Sequence, residues 1–221
     1  MLKTSRYFFI SFWLLMSAAV QGQEPLPQWV PARGITVGVN LAGPINRLMD
    51  DNRTGISFLT RVNFGEDMYL LGEAGFENVN FRKERYTYDS NGTFLRIGIE
   101  KDILPRKHQT NDNLLMGLQY GFALHEHGAS GYTIRNGYWQ DYSGNVSSYT
   151  LNSHWVEFSM GPRTEVFKNF YMSWKLHIRT LIATNNSELL KPYIVPGFGN
   201  GDRRLNAGFS YTLEYLLPLR K

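Results

Sequence analysis

The chain has 221 residues, with 23 Lys and Arg against 19 Asp and Glu, a net charge of +4, and no cysteine. The missing thiols exclude disulfides, a lipidated cysteine, thiol catalysis and cysteine-based metal sites. No basic cluster is interleaved with aromatics as a nucleic-acid groove requires, and no stretch beyond the N-terminus has the 18 or more continuous apolar residues of a membrane helix, a test that a β-barrel escapes because half of each strand is polar.

Lys3 and Arg6 precede an apolar run over residues 7–16 and the small residues Ser17, Ala18, Ala19, Val20 and Gly22. This is the pattern of a secretory signal peptide over residues 1–22, cleaved near Gly22; the run is far shorter than the ~20 residues of a membrane helix. Its removal takes away two positive charges, so the basic balance names no partner. Residues 23–33, with Pro25, Pro27 and Pro31, read as an extended periplasmic lead-in, and residues 34–221 as one barrel domain.

Eight segments then alternate with period two, the signature of strands with one apolar and one polar face. The first sets Ile35, Val37, Val39 and Leu41 against Thr36, Gly38, Asn40 and Ala42; the second sets Ile56, Phe58 and Val62 against Ser57, Arg61 and Asn63. In the third, Leu70, Ala74 and Phe76 oppose Tyr69, Glu73 and Glu77, and in the fourth Leu95, Ile97 and Ile99 oppose Arg96, Gly98 and Glu100. The fifth runs from Leu114 to His125; the sixth opposes Val156, Phe158 and Met160 to Trp155, Glu157, Ser159 and Arg163. The seventh opposes Trp174, Leu176 and Ile178 to Lys175, His177 and Arg179. The last, from Arg204 to Leu217, is the cleanest: every odd-numbered residue from Leu205 on is apolar, and Arg204, Asn206, Gly208, Ser210, Thr212 and Glu214 lie opposite.

The predicted fold is all-β, an antiparallel up-and-down transmembrane β-barrel of eight strands. Short turns at residues 64–67 and 167–169 alternate with longer Gly-, Asn- and Tyr-rich loops, which places both chain ends in the periplasm and the long loops outside. Residues 101–112 make a longer turn on the periplasmic side.

Three features set the apolar face against lipid. Glycines crowd the polar face, where a narrow lumen needs room. Aromatics gather near the segment ends as girdles: Phe64, Tyr69, Phe167, Phe170, Trp174 and Tyr215 at one level, Phe76, Phe81, Phe122 and Tyr149 at the other. The polar-face charges nearly cancel, with Arg61, Arg96, Arg163, Lys175, Arg179 and Arg204 facing Glu73, Glu77, Glu100, Glu157 and Glu214. An eight-stranded lumen is just wide enough to be filled by side chains, so these charges must pair. His177 joins this network as a plug member or a pH sensor. A filled lumen argues against a porin. The competing arrangement is a soluble, lipocalin-like periplasmic barrel whose apolar face lines a cavity for a lipophilic ligand.

Candidate chemistry is sparse. His125 and His127 share a strand face, and His154 across the hairpin would supply a third metal ligand if closure brought it near. Ser153, His154 and Glu157 suggest a lipid hydrolase, but Ser153 and His154 are adjacent on a strand and point to opposite faces. Gly197, Gly199 and Gly201 lack the Lys and helix of a phosphate loop. The loop over residues 128–150, with Tyr132, Tyr138, Trp139, Tyr142 and Tyr149 among small polar residues, is a candidate recognition surface, and residues 183–202 are a second.

The run His154, Trp155, Val156, Glu157, then Gly161, then Glu165 to Asn169, followed by Tyr193 to Phe198 and the ending Tyr211 to Leu219, resembles a domain-of-unknown-function family of small exported envelope proteins of Gram-negative bacteria. That resemblance implies an outer-membrane barrel and supplies no catalytic residues. The chain departs from the commonest outer-membrane ending, a terminal aromatic, because Pro218 to Lys221 follow the last alternating residue. The expectation is a non-enzymatic, cofactor-free outer-membrane barrel with lipid around it, binding an envelope partner through its external loops and contacting no nucleic acid. A lipid-modifying enzyme or a small channel stands as the lesser alternative.

Overall fold

Each alternating segment forms a strand, and the strands close on themselves. The computed structural model describes residues 34–49, 51–65, 67–83, 86–104, 111–134, 142–185 and 192–219. The predicted signal peptide and lead-in lie outside the described residues. Strands β1 (Gly34–Asn40), β2 (Arg53–Asn63), β3 (Met68–Lys83), β4 (Tyr86–Asp102), β5 (Asn113–Ile134), β6 (Tyr142–Phe167), β7 (Phe170–Asn185) and β10 (Leu205–Pro218) form one closed antiparallel barrel. Neighbours in sequence pair throughout, and β10 pairs with β7 and with β1 to complete the ring. A helix α1 (Ala42–Met49) lies between β1 and β2, and a two-stranded hairpin, β8 (Ile194–Val195) and β9 (Gly199–Asn200), lies between β7 and β10.

The side-chain period fixes which face is which. The apolar set points outward: Phe58 is 60 % exposed, Leu118 55 % and Ile178 52 %. Their alternating neighbours Ser57, Gln119 and His177 are buried in the lumen. This is the reverse of a lipocalin-like barrel, whose apolar side chains would face inward.

The turns at the end that holds Gly34 and Pro218 are tight. Phe167 pairs with Phe170 across a turn in which Asn169 takes φ 65°, a left-handed conformation that Asn tolerates well. The Asn169 N–H donates to Glu165 Oε1 (2.7 Å), which fixes the turn. At the longer connection, Asp102 Oδ1 accepts from the N–H groups of Leu104 and Leu114, both 3.0 Å; residues 105–110 lie outside the described residues.

Three features depart from the sequence reading. Strands β5 and β6 run well past the alternating apolar positions, so most of the expected loop over residues 128–150 is a strand pair, with Tyr132 in register with Gly144 and Ile134 with Tyr142. The pattern gave no warning because Gly, Ser, Thr and Asn interrupt the alternation along this stretch of sequence. Helix α1 fills a connection to which the alternating pattern assigns no element: Asn40 Oδ1 accepts the Ala42 N–H (3.0 Å), and Ile45 N–H donates to Leu41 O (2.9 Å) to start the first turn. Pro44 is tolerated there because first-turn N–H groups have no helical acceptor. Finally, three expected girdle aromatics turn inward. Tyr69 alternates with exposed Leu70 on the lumen side, Phe81 packs edge-on to Tyr193 and Tyr149 packs edge-on to His127. Phe64, Phe167, Trp174 and Tyr215 are exposed on the outside, as is Phe76 at the other level.

Candidate functional site

The lumen is filled in layers. Nearest the chain ends, the Arg163 guanidinium stacks 3.6 Å above the Tyr171 ring while Nε donates to Glu214 Oε2 (2.7 Å) and Nη1 to Asn113 Oδ1 (2.9 Å). Above it, Arg61 bridges two carboxylates, donating from Nε to Glu100 Oε2 (2.8 Å) and from Nη1 to Glu214, and Lys175 donates to Glu100. The third layer centres on Glu157, whose oxygens receive Arg96 Nη1 (3.0 and 3.1 Å) and Arg179 Nε (2.6 Å) and lie 2.6 Å from His177 Nδ1. Arg96 Nη2 also donates to Glu73 Oε1 (2.7 Å), which accepts from Asn40 Nδ2 as well (3.1 Å). His177 Nε2 lies 2.7 Å from Ser210 Oγ.

The predicted lumen residues Arg61, Glu73, Glu77, Arg96, Glu100, Glu157, Arg163, Lys175, His177, Arg179 and Glu214 thus sit together inside the barrel. Arg204 does not join them. It is exposed where the loop enters β10, and its expected place in the charge balance is taken by Arg53, which pairs with Glu77. Sequence reading missed Arg53 because the alternating pattern begins only at Gly55; its one signal is that Arg53 keeps the parity of Ser57 and Arg61. Two isolated charges in an apolar medium each carry a desolvation cost of several kcal/mol, so the lumen is stable only as a paired set.

Above the charges the filling becomes apolar. Phe94, Ala123, Trp155, Val195 and Phe198 form one buried cluster, with Leu181 packed against it. Val195 and Phe198 come from the β8–β9 hairpin, which folds into the barrel's mouth. The Gly197 N–H donates to Glu77 Oε2 (3.0 Å), Arg179 Nη1 donates to Phe198 O (3.3 Å), and the Tyr193 N–H donates to Tyr88 Oη (3.1 Å). The expected recognition loop over residues 183–202 is therefore in large part a plug: Ile194, Val195, Pro196 and Phe198 are buried. The signal was present in the run Tyr193 to Phe198, too apolar for a solvated loop. Gly121 shows how closely the filling fits, since a Cβ there would run into the Trp155 indole.

His125 and His127 face the lumen near the loop end, both buried, with ring centroids 6.2 Å apart. Burial pushes the His127 imidazole below its ordinary pKa, so it stays neutral at neutral pH. The expected third ligand is elsewhere: His154 Nδ1 lies 2.6 Å from Tyr120 Oη on the barrel's outer surface. Ser153 is buried, with its Oγ 3.1 Å from Thr184 Oγ1, so Ser153 and His154 occupy opposite faces of β6 and cannot act as nucleophile and base. Of the loop aromatics, Tyr149 is the lumen-side residue against His127, Tyr132 and Tyr142 are placed only by backbone register, and Tyr138 and Trp139 lie outside the described residues.

No curated protein matches the sequence. Among solved structures, the fold is similar to Ail, the attachment invasion locus protein of Yersinia pestis, at 12% identity and TM-score 0.46, over 83% of this chain and 98% of that one. It is also similar to a major outer membrane protein from Thermus thermophilus, at 8% identity and TM-score 0.47 over 84% of this chain and 100% of that one. Neisserial surface protein A shows 8% identity and TM-score 0.44 over 84% and 95%. Over residues 4–221 the sequence matches one family along almost its whole length, and the chain belongs to it: the family described as Domain of unknown function (DUF6048).

Proposed function

We propose that this protein is an exported outer-membrane barrel, processed near Gly22, whose lumen is closed and which serves the envelope as a binding or accessory protein through its loop end. The observation that carries the membrane placement is the inversion of the two faces: large apolar side chains cover the outside, and ion pairs fill the inside. In water, each such outward side chain forgoes roughly 1.5–3 kcal/mol of burial, whereas in hydrocarbon that burial is realised. The soluble ligand-binding reading needs the opposite arrangement. Tagged protein should pellet with outer membranes and migrate differently on a gel before and after boiling; recovery in the soluble periplasmic fraction would overturn the placement.

A charge on the lipid face tests the same reading at one residue. Leu118→Arg, at the centre of the outward set on β5, should lower stability in lipid vesicles by about 2–4 kcal/mol, while Arg at exposed Glu126, beyond the apolar band, should cost about 0–1 kcal/mol. Equal costs at both positions would argue against a bilayer around β5.

The closed lumen makes the protein a poor channel. Three layers of paired charges lie beneath an apolar plug, so planar bilayers containing the purified barrel should show no stepwise conductance. Recognition is assigned to the loop end, where the extended β5–β6 pair carries Tyr132 and Tyr142. Trimming that pair back to residue 128 on one side and 149 on the other should abolish partner capture and leave the boiling shift intact. Capture that survives the trimming would move recognition elsewhere.

A further inference from the structure

The barrel wall is complete over only half its height beside β1. Strand β1 ends at Asn40, opposite Ser57 of β2 and Thr212 of β10. Above that level Arg53 to Ile56 and Leu205 to Tyr211 each keep a barrel partner on one side alone, β3 and β7 respectively. Open strand edges in a bilayer leave backbone groups without partners, so something must cover the breach.

Helix α1 covers it unevenly. It packs directly on β2, where a Cβ at Gly43 would collide with the Gly55 carbonyl, and Arg47 Nη1 donates to Thr54 Oγ1 (2.5 Å). Toward β10 its tie is at the helix entrance, where the Leu41 N–H donates to Tyr211 O (2.7 Å). Beneath the helix, against Gly55 to Ser57 of β2, lies a cavity of about 80 Å³ that touches β10 only at Phe209, a member of the outward apolar set, and reaches past Asn46 to Arg53, Arg96 and Arg179 in the lumen. Three guanidiniums line it, each held by a carboxylate on another side, Arg53 by Glu77, Arg96 by Glu73 and Glu157, and Arg179 by Glu157; of these carboxylates only Glu77 lines the cavity. Arg96 is only 3 % exposed, and its Nε–H has no hydrogen-bond partner among the described residues. A buried donor without an acceptor is costly, and on a guanidinium it is a place for an anionic oxygen.

We infer that this breach is a lateral portal and that the cavity behind α1 binds a phosphate group, entering from the side. Its size admits the charged end of a headgroup and excludes acyl chains, which would remain outside along Phe209. The group arrives either on an anionic phospholipid of the surrounding leaflet or as free phosphate; the lipid route rests on the membrane placement proposed above.

Two arms separate these sources. The full barrel is placed in nanodiscs of phosphatidylglycerol and phosphatidylcholine, extracted in mild detergent, and its retained lipid counted by native mass spectrometry. In parallel, inorganic phosphate is titrated into lipid-free detergent samples by calorimetry. Retention of one phosphatidylglycerol per barrel, lost in Asn46→Trp, which fills the cavity from the helix, and reduced tenfold or more in Arg53→Gln, supports the lipid route. Phosphate binding with the same variant pattern and no retained lipid supports the site with free phosphate as its ligand. A barrel that still shifts on boiling but retains no lipid and binds no phosphate, or that behaves alike in wild type, Asn46→Trp and Arg53→Gln, overturns the portal and leaves the membrane placement standing. Arg204→Gln, exposed and away from the cavity, should match wild type in both arms.

Discussion

Glu157→Gln should lower the stability of the barrel by about 3–5 kcal/mol, read as a fall in the urea concentration that unfolds it in lipid vesicles. The carboxylate is fully buried and is the shared acceptor for Arg96 and Arg179, with His177 beside it. The amide keeps the shape and one acceptor oxygen but removes the charge, so two guanidiniums lose their counter-ion in a region water does not reach. Arg96 retains Glu73, which limits the loss; Arg179 retains, among the described residues, the Phe198 carbonyl. The matched control is Glu126→Gln, an exposed carboxylate on the neighbouring strand, which should fall within about 0.5 kcal/mol of wild type. An unfolding midpoint for Glu157→Gln indistinguishable from that control would mean that the lumen is wet and the pairs are screened.

Phe198→Ala should loosen the plug without opening the barrel. The ring is fully buried against Trp155, with centroids 5.9 Å apart, and truncation of such a side chain costs about 3–5 kcal/mol. The hairpin is a short insertion held at the mouth, so the loss should appear locally. Amide exchange at Gly197 and Gly201, whose N–H groups bond Glu77 and the Tyr193 carbonyl, should accelerate by two orders of magnitude or more, at about 1.4 kcal/mol per factor of ten. Exchange at Leu216, bonded to the Asn169 carbonyl near the chain ends, should not change. Uniform acceleration at all three would show that the hairpin and wall unfold as one unit. Bilayers should stay silent even in this variant, because the ion-pair layers lie below the plug.

How much of this was legible in sequence depends on whether a residue's neighbours alternate. Arg204 to Leu217 announced its faces without ambiguity and placed Glu214 in the lumen, and the alternation of the sixth and seventh segments did the same for Glu157, Lys175 and His177. Parity fails where the wall leaves the apolar band. Residues 86–92, 125–134 and 142–152 are strands with polar residues on both sides, so a pattern that detects lipid contact cannot detect them. Helix α1 spans eight residues with Gly43 and Pro44 in its first turn, too short for a 3.6-residue period to show. The plug was hidden for a different reason: an apolar run between Pro192 and Gly201 reads as loop because its burial partners, Phe94 and Trp155, come from strands far away in sequence. Trp155 and Phe94, large rings on otherwise small and polar faces, were the residues that asked for such a partner.

Glu214 also bears on the register in which the ring closes. It sits on the last strand and bonds Arg61 on β2 and Arg163 on β6, while the closing seam between β10 and β1 spans only Gly34 to Asn40. A slip of one residue along that seam would turn Glu214 to hydrocarbon and bring Leu213 into the charged lumen. A ring joined out of step would strand one carboxylate in lipid and leave two cations without it, so the network energetically favours the in-register closure over its one-residue neighbours.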